Sequence, residues 1–394
     1  MQPIYLDNNA TTKVAPEVLE EMLPVLGEFY GNPSSMHSFG GSVGALVKKA
    51  RERTAQALGC RPEEIIFTSC GSEGDNTAIL SALRANPEKR HMVTTRVEHP
   101  AVLSLAKHLE TRGIAVTYLG VDASGRLDLD ELRASLRKDT AVVSVMYANN
   151  ETGVVFPIPE IAAMVRERGI AFHTDAVQAV GKIPISLKDM PVDYLVLSGH
   201  KLHAPKGVGA LYVRRGTPFR PFLIGGHQER GRRAGTENTP GIVALGKAME
   251  LAVAGIGDEN TRVKALRDRL ETGLVAAIPD AIVNGDPASR LPNTTSIAFK
   301  YVEGEAILLL LDTFGICASS GSACTSGSLE PSHVLRAMGV PFTFAHGSIR
   351  FSLSRYTTDA EIDTVLREMP GVIKRLRKMS PFSAATDEKP SCTC

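Results

Sequence analysis

An amine, an acid and a run of small hydroxyl residues are the chemistry-bearing groups that stand out in this chain. Lys201 comes two positions after the apolar run "DYLVLSG", with His200 between them. A lysine there is costly to bury unless its amine has a partner. "AFHTDAVQ" delivers Asp175 and Gln178 after another apolar run, and "FTSCGSEGDN" places Gly71 and Ser72 where a strand gives way to a helix. Free backbone N–H groups at such a helix start form a phosphate cradle. Together these groups suit an aldehyde cofactor that carries a phosphate and a basic ring nitrogen. Pyridoxal phosphate has all three handles: Lys201 for the carbonyl carbon, Asp175 for the ring nitrogen and Ser72 with its neighbours for the phosphate. Two unit charges about 4 Å apart, at an effective dielectric near 20, attract by roughly 4 kcal/mol. That is enough to keep the ring nitrogen protonated.

These groups need a scaffold that brings them to one edge. Between about residues 60 and 215, short apolar runs alternate with helical patterns. The spacing predicts strands over 64–70, 91–97, 115–120, 141–148, 171–176 and 193–199. Helical segments such as "PEIAAMVRERG" end in glycine, a helix stop signal. This is an α/β pattern, with a mainly parallel sheet covered by helices on both faces. Such sheets bind ligands at the carboxyl ends of their strands, where Lys201 falls. Beyond residue 240 come long helical stretches, strands over 293–301 and 347–354 and a closing helix, a smaller α+β unit. The expected division is 14–255 for a large domain, 1–13 with 256–380 for a small one, and a disordered tail over 381–394.

Composition narrows the classes. The 394 residues are 43% hydrophobic and 22% charged with a net charge of +1, an ordinary soluble composition. No bulk attraction to nucleic acid or an anionic membrane follows from it. The N-terminus lacks a secretion-signal pattern, and no apolar run approaches a membrane span. Six scattered cysteines do not form a disulfide scaffold, which favours a reducing cytoplasm. Seven of the ten residues over 319–328 are Ser or Gly, with Cys324 among them, too polar and flexible to pack as a core element.

"YLDNNATT", "GNPSSMHSFG", "FTSCGSEGDN", "EHPAV", "YANNETGVVFPI", "HTDAVQAVGKIP", "SGHKLHAPKGVGALYVR", "RRAGTEN", "SSGSACTSG" and "IRFSLSRYTT", in this order, resemble the cysteine desulfurases of the NifS/IscS type. These are class V aminotransferase relatives with the pyridoxal-phosphate fold-type I. The resemblance implies that Lys201 binds the cofactor covalently and that His99 stacks on its ring and moves protons. It gives Asp175 to the ring nitrogen and Gln178 to the ring oxygen, with Asn150 nearby. Gly71, Ser72, Ser198 and His200 would hold the phosphate, with Thr236 reaching in from the other subunit of a homodimer. Arg350 would clamp the carboxylate of L-cysteine, helped by Asn32 and Asn150. Arginine's planar fork suits that task. Cys324 would take the sulfur as a persulfide, leaving alanine, and pass it to an iron–sulfur scaffold or another acceptor. Nitrogenase maturation is one such destination. A transient iron–sulfur ligand role for Cys324, shared with a partner's cysteines, is a secondary expectation. The terminal Cys392 and Cys394 read as an oxidisable end. Another class V enzyme, an aminotransferase or a selenocysteine lyase, remains the alternative; it would share Lys201, Asp175 and Arg350 but have no use for Cys324.

Overall fold

The computed structural model describes residues 3–320 and 331–380. Thirteen strands fall among them: β1 (Ile4–Tyr5), β2 (Ile65–Thr68), β3 (His91–Thr95), β4 (Ala115–Leu119), β5 (Thr140–Ser144), β6 (Ala171–Asp175), β7 (Tyr194–Ser198), β8 (Gly209–Val213), β9 (Ala281–Asn284), β10 (Thr294–Phe299), β11 (Ile316–Cys317), β12 (Ser319–Ser320) and β13 (Ser348–Ser352).

Seven of them form one sheet in the order β2-β8-β7-β6-β5-β3-β4. All neighbours are parallel except β8, which runs against both β2 and β7. Apart from the edge strand β4, the strands are buried almost throughout because both faces are covered. Leu195 and Leu197 of β7 belong to the core on one face, and Tyr194 and Val196 to the core on the other. This is the alternation that a pleated strand imposes. Helices Gly71–Ala85 and Pro100–Thr111 cover the second face. The six expected strands of this sheet are present, each shortened at an end. β8 lies inside the glycine-rich run after Lys201, and its antiparallel course has no signature in residue spacing. The β5 segment stops as a regular strand at Ser144, yet the Val145 and Tyr147 N–H groups still donate to His173 and Asp175 carbonyls.

A four-stranded antiparallel sheet, β12-β13-β10-β9, packs with helices Lys264–Ala277 and Asp359–Met379 around a separate core that includes Leu270, Phe299, Phe351 and Val365. Asp359–Met379 begins with a reciprocal capping box between Thr358 and Glu361. The N-terminal segment ties this unit to the large sheet. β1 pairs with β11, the Ser352 N–H donates to the Leu6 carbonyl, and the Thr12 N–H donates to the His200 carbonyl at 2.9 Å. Residues 7–12 therefore run from the Arg350 strand to the Lys201 turn. Among the described residues no single helix is long and apolar enough to cross a membrane.

Candidate functional site

The carboxyl ends of β2, β6 and β7 open into a cavity of about 480 Å³ whose lining includes Ser72, His99, Asp175, Ser198, Lys201 and Arg350. Lys201 closes a one-turn helix after β7, and its Nζ donates to the Asn9 carbonyl at 2.5 Å and the Ala10 carbonyl at 2.6 Å. Asp175 is the last residue of β6, the neighbour of β7, so adjacent parallel strands carry the acid and the amine to the same edge. Its Oδ1 accepts from the Val177 N–H at 2.9 Å. Burial raises the affinity of Asp175 for a proton, and the facing His99, the Val177 N–H and Lys201 oppose that.

His99 caps the helix Pro100–Thr111, where its Nδ1 accepts from the Ala101 N–H at 3.1 Å. A neutral ring in this arrangement carries its proton on Nε2. Burial holds the pKa of His99 below that of a free histidine, with Asp175 pulling the other way, so the neutral form is favoured. His200 makes a 3.2 Å contact through Nδ1 to Thr11 Oγ1, and burial together with Lys201 and Lys206 lowers its pKa to about 4.

The helix Gly71–Ala85 starts on the cavity wall. Its approach depends on Gly74: a Cβ there would lie 2.7 Å from Val196 Cγ1 on β7. The N–H groups of its first turn have no intrahelical acceptors. Gln178 donates through Nε2 to the Asn9 carbonyl at 3.0 Å. Three buried oxygens of lining residues, Ser198 Oγ, Gln178 Oε1 and Asp75 Oδ1, have no hydrogen-bond partner. A native fold rarely leaves such groups unpaired. A phosphate is the kind of partner that the Ser198 hydroxyl lacks, while Gln178 would reach a ring oxygen through its Nε2 donor, with Oε1 needing a donor of its own.

Arg350 comes from β13 and is 5% exposed. Its Nη2 lies 2.7 Å from Asp7 Oδ1, its Nη1 donates to the Asn150 carbonyl at 3.0 Å, and its Nε is buried without a partner. Asn150 lines the cavity. Asn32 and Thr236 do not: both are exposed, and Asn32 Oδ1 accepts from the Ser34 N–H in its own turn. Cys324, Cys392 and Cys394 lie outside the described residues. On either side of the Cys324 segment, however, the chain is at the cavity. Ser319 pairs with Arg350 across β12 and β13, while Pro331, Ser332 and His333 are in the cavity wall. No cluster suited to a metal ion occurs among the described residues.

Four lining residues, Asn9, Asp75, Glu151 and His333, had no role assigned from the sequence, nor had Asp7 and Glu98, which contact the lining residues Arg350 and His333. The Ser332 hydroxyl donates to Glu151 Oε2, and His333 Nε2 is 3.0 Å from the Glu98 carbonyl. The polar run Asp7-Asn8-Asn9, one residue beyond β1, was the available signal, since three successive polar residues leaving a strand need partners. Asn9 finds them in Thr294 and Asn293 and in the Asn150 carbonyl.

Residues 4–365 match the Aminotransferase class-V family. The chain belongs to that family. A cysteine desulfurase from Trichormus azollae is 66% identical over 382 residues, 97% of this chain and 96% of that protein. The cysteine desulfurase NifS of Azotobacter vinelandii is 61% identical over 383 residues, 97% of this chain and 95% of that one. A solved NifS-like protein superposes with a TM-score of 0.90 at 41% identity, covering 95% of this chain and all of its own. The resemblance read from the motifs is thereby established, as are the α/β architecture of the pyridoxal-phosphate enzymes and dependence on pyridoxal phosphate.

Proposed function

We infer that this chain is a pyridoxal-phosphate-dependent cysteine desulfurase, converting L-cysteine to L-alanine. The observation that carries the reading is the meeting of Lys201, Asp175 and Arg350 in one cavity whose lining also holds the unsatisfied buried hydroxyl of Ser198. Ser198, His200 and the first turn from Gly71 and Ser72 would hold the phosphate. Thr236 would complete that shell from a second copy in a homodimer, which fits its exposure outside its own cavity. Asp175 would pair with the ring nitrogen, Gln178 and Asn150 would face the ring oxygen, and His99 would cover the ring. When bound, the cofactor supplies an electron sink that makes the substrate Cα–H acidic.

The chain's own residues do the rest. Arg350 would bind the substrate carboxylate through its unpaired Nε and, by displacing Asp7, through its Nη2, and thereby fix Cα relative to Lys201. Asn32 would help only from a neighbouring subunit, since it is not among the residues that line this cavity. The Lys201 amine takes the Cα proton and gives one back to that carbon only after the sulfur has left, held meanwhile near the Asn9 and Ala10 carbonyls. His99, with its proton on Nε2, can donate toward the reacting atoms. Cys324 as thiolate then attacks the substrate sulfur. The new S–S bond forms as the Cβ–S bond breaks, and the electron pair left on carbon takes up a proton to give the methyl group of alanine.

We assign the Cys324 persulfide to an iron–sulfur scaffold or another acceptor as sulfur donor, in the cytoplasm. Similarity to the Azotobacter NifS protein supports nitrogenase maturation as one destination. A brief shared ligation of an iron–sulfur cluster by Cys324 belongs to the same hand-over. The two-unit division, 14–255 against 1–13 with 256–380, is supported by the core that Leu6, Leu270, Phe299 and Phe351 share, while Leu291, Val334, Leu335, Met338 and Ala345 pack into the large unit's core instead. Mass spectrometry after incubation with cysteine tests the whole. A gain of one sulfur on the 318–336 peptide is expected; the gain on any other peptide, or alanine formed at the parent rate by Cys324→Ser, overturns the assignment.

A further inference from the structure

Beneath the cavity lies a buried acid–imidazole contact that the mechanism above does not use. Asp75, in the second turn of the helix Gly71–Ala85, places its Oδ1 3.3 Å from His173 Nε2 on β6. Their side chains are 1% and 0% exposed, and neither atom has a hydrogen-bond partner: they face each other at 3.3 Å without the alignment of a hydrogen bond. His173 Nδ1 is 2.9 Å from Ser144 Oγ on β5. Among the described residues, no lysine or arginine comes within ion-pairing distance of Asp75. The charged or ionisable groups that face it are Asp175, Glu98 and Cys70, none of them a cation. His173 and Asp175 sit two positions apart on one strand, so their side chains share a face.

We propose that Asp75 and His173 share a single proton and carry no net charge, which makes Asp175 the single anion on the cavity floor and holds it in register for the cofactor ring. The inference rests on the pyridoxal-phosphate reading. An ionised Asp75 would have no positive partner and would stand next to two further carboxyl groups. Burial and those like charges drive it toward the protonated form, while burial drives the His173 pKa to about 3. The pair is neutral whether the shared proton rests on Oδ1 or on Nε2, provided that Nδ1 keeps its own proton and donates to Ser144 Oγ. A second negative charge here would raise the proton affinity of Asp175 and let it compete with the ring nitrogen it serves. Asp75 and His173 are therefore positioning residues that act through Asp175.

The test uses the holoenzyme and reads the absorbance of the bound cofactor against pH, together with pyridoxal-phosphate affinity, in the parent, Asp75→Asn and Asp75→Ala. A parent that takes up no pyridoxal phosphate refutes the functional reading itself and is thereby distinct from the outcomes that judge the pair. Asn keeps a neutral donor facing Nε2, so its titration midpoint should coincide with the parent's and its affinity stay within about twofold. Ala leaves Nε2 unsatisfied and the β6 end unsupported. It should shift the midpoint and weaken affinity by about tenfold, as loss of a supporting hydrogen bond does at other cofactor sites. A midpoint shift of about one unit in Asp75→Asn would mean that a charge had been removed, and the proposal would fall. It would fall equally if Asp75→Ala behaved as the parent. Neutron diffraction of the parent protein reads the protons without any variant: a deuteron on His173 Nδ1 and one between Oδ1 and Nε2 are expected, and a bare Nδ1 overturns the pair.

Discussion

Arg350 and Asp7 form an ion pair of 2.7 Å at the edge of the cavity, between a residue of β13 and one just after β1. The pair occupies one arm of the guanidinium that the substrate carboxylate needs. Asp7 is also the start of the segment that continues to the Asn9 and Ala10 carbonyls on Lys201 Nζ. Substrate binding and the amine are thus linked through four residues of backbone. Asp7→Asn keeps the shape and a hydrogen-bond acceptor but removes the competing charge. A partly exposed pair of this kind is worth about 1 kcal/mol. The KM for cysteine is therefore expected to fall roughly fivefold with kcat nearly unchanged. Steady-state kinetics check it; a raised KM would show that Asp7 orients Arg350 rather than competing for it.

Gly74 decides how closely the helix Gly71–Ala85 lies against β7. A glycine-to-alanine change inside a helix ordinarily gains up to about 1 kcal/mol. Here the added Cβ would meet Val196 Cγ1 at 2.7 Å and Cγ2 at 3.0 Å, and a β-branched side chain in a strand has little freedom to turn away. Overpacking of this kind costs about 1–3 kcal/mol and should outweigh the propensity gain. Gly74→Ala should lower the melting temperature and also loosen pyridoxal phosphate, because the helix start at the cavity moves with the helix. A variant that melts higher and holds cofactor normally would contradict the close approach.

Lys201 is expected to be the point of covalent attachment. Borohydride reduction of the parent should fix the cofactor to the peptide that contains Lys201, and to no other. Lys201→Ala should lose turnover by a factor of at least about 10³, since it removes both the attachment and the proton carrier. The apo-protein should also be less stable, as the Asn9 and Ala10 carbonyls lose a charged donor that typically contributes about 1.5–3 kcal/mol. Peptide mapping and thermal unfolding of the apo-proteins provide the two readings.

The parts of the site legible in the sequence were those set at strand ends. Asp175 and Lys201 could be placed because apolar strand patterns stop where they begin. Ser198 could be named as a phosphate group by resemblance, although only the structure reveals its hydroxyl as unpaired. What stayed hidden was tertiary: that β8 runs backwards, that residues 7–12 bridge the Arg350 strand to the Lys201 turn, and that Asp75 lies against His173. Spacing gives the face on which a side chain sits and not its partner across the fold. Asp75 in a helix pattern and His173 in a strand pattern look like ordinary polar interruptions until helix and sheet are packed together.

Glu98 and Glu151 give the fold a pH dependence whose sign can be worked out. Both are buried, and burial raises their pKa values to about 8 and about 7, against an ordinary glutamate near 4.5. The Met146 N–H and the Thr95 hydroxyl oppose the rise at Glu98, and the Ser332 hydroxyl and Arg350 oppose it at Glu151. In this window the folded chain keeps protons that the unfolded chain has lost. Stability contributed by these groups is therefore complete below the unfolded value and declines as pH rises through about 7 and 8. The Glu151 share is on the order of 3 kcal/mol. Glu151→Gln retains an uncharged hydrogen-bonding partner for Ser332 and should flatten the apo-protein's melting curve between pH 5 and 8, with the largest gain at the alkaline end. A melting temperature that falls equally at every pH would mean that Glu151 is ionised throughout, held there by Arg350.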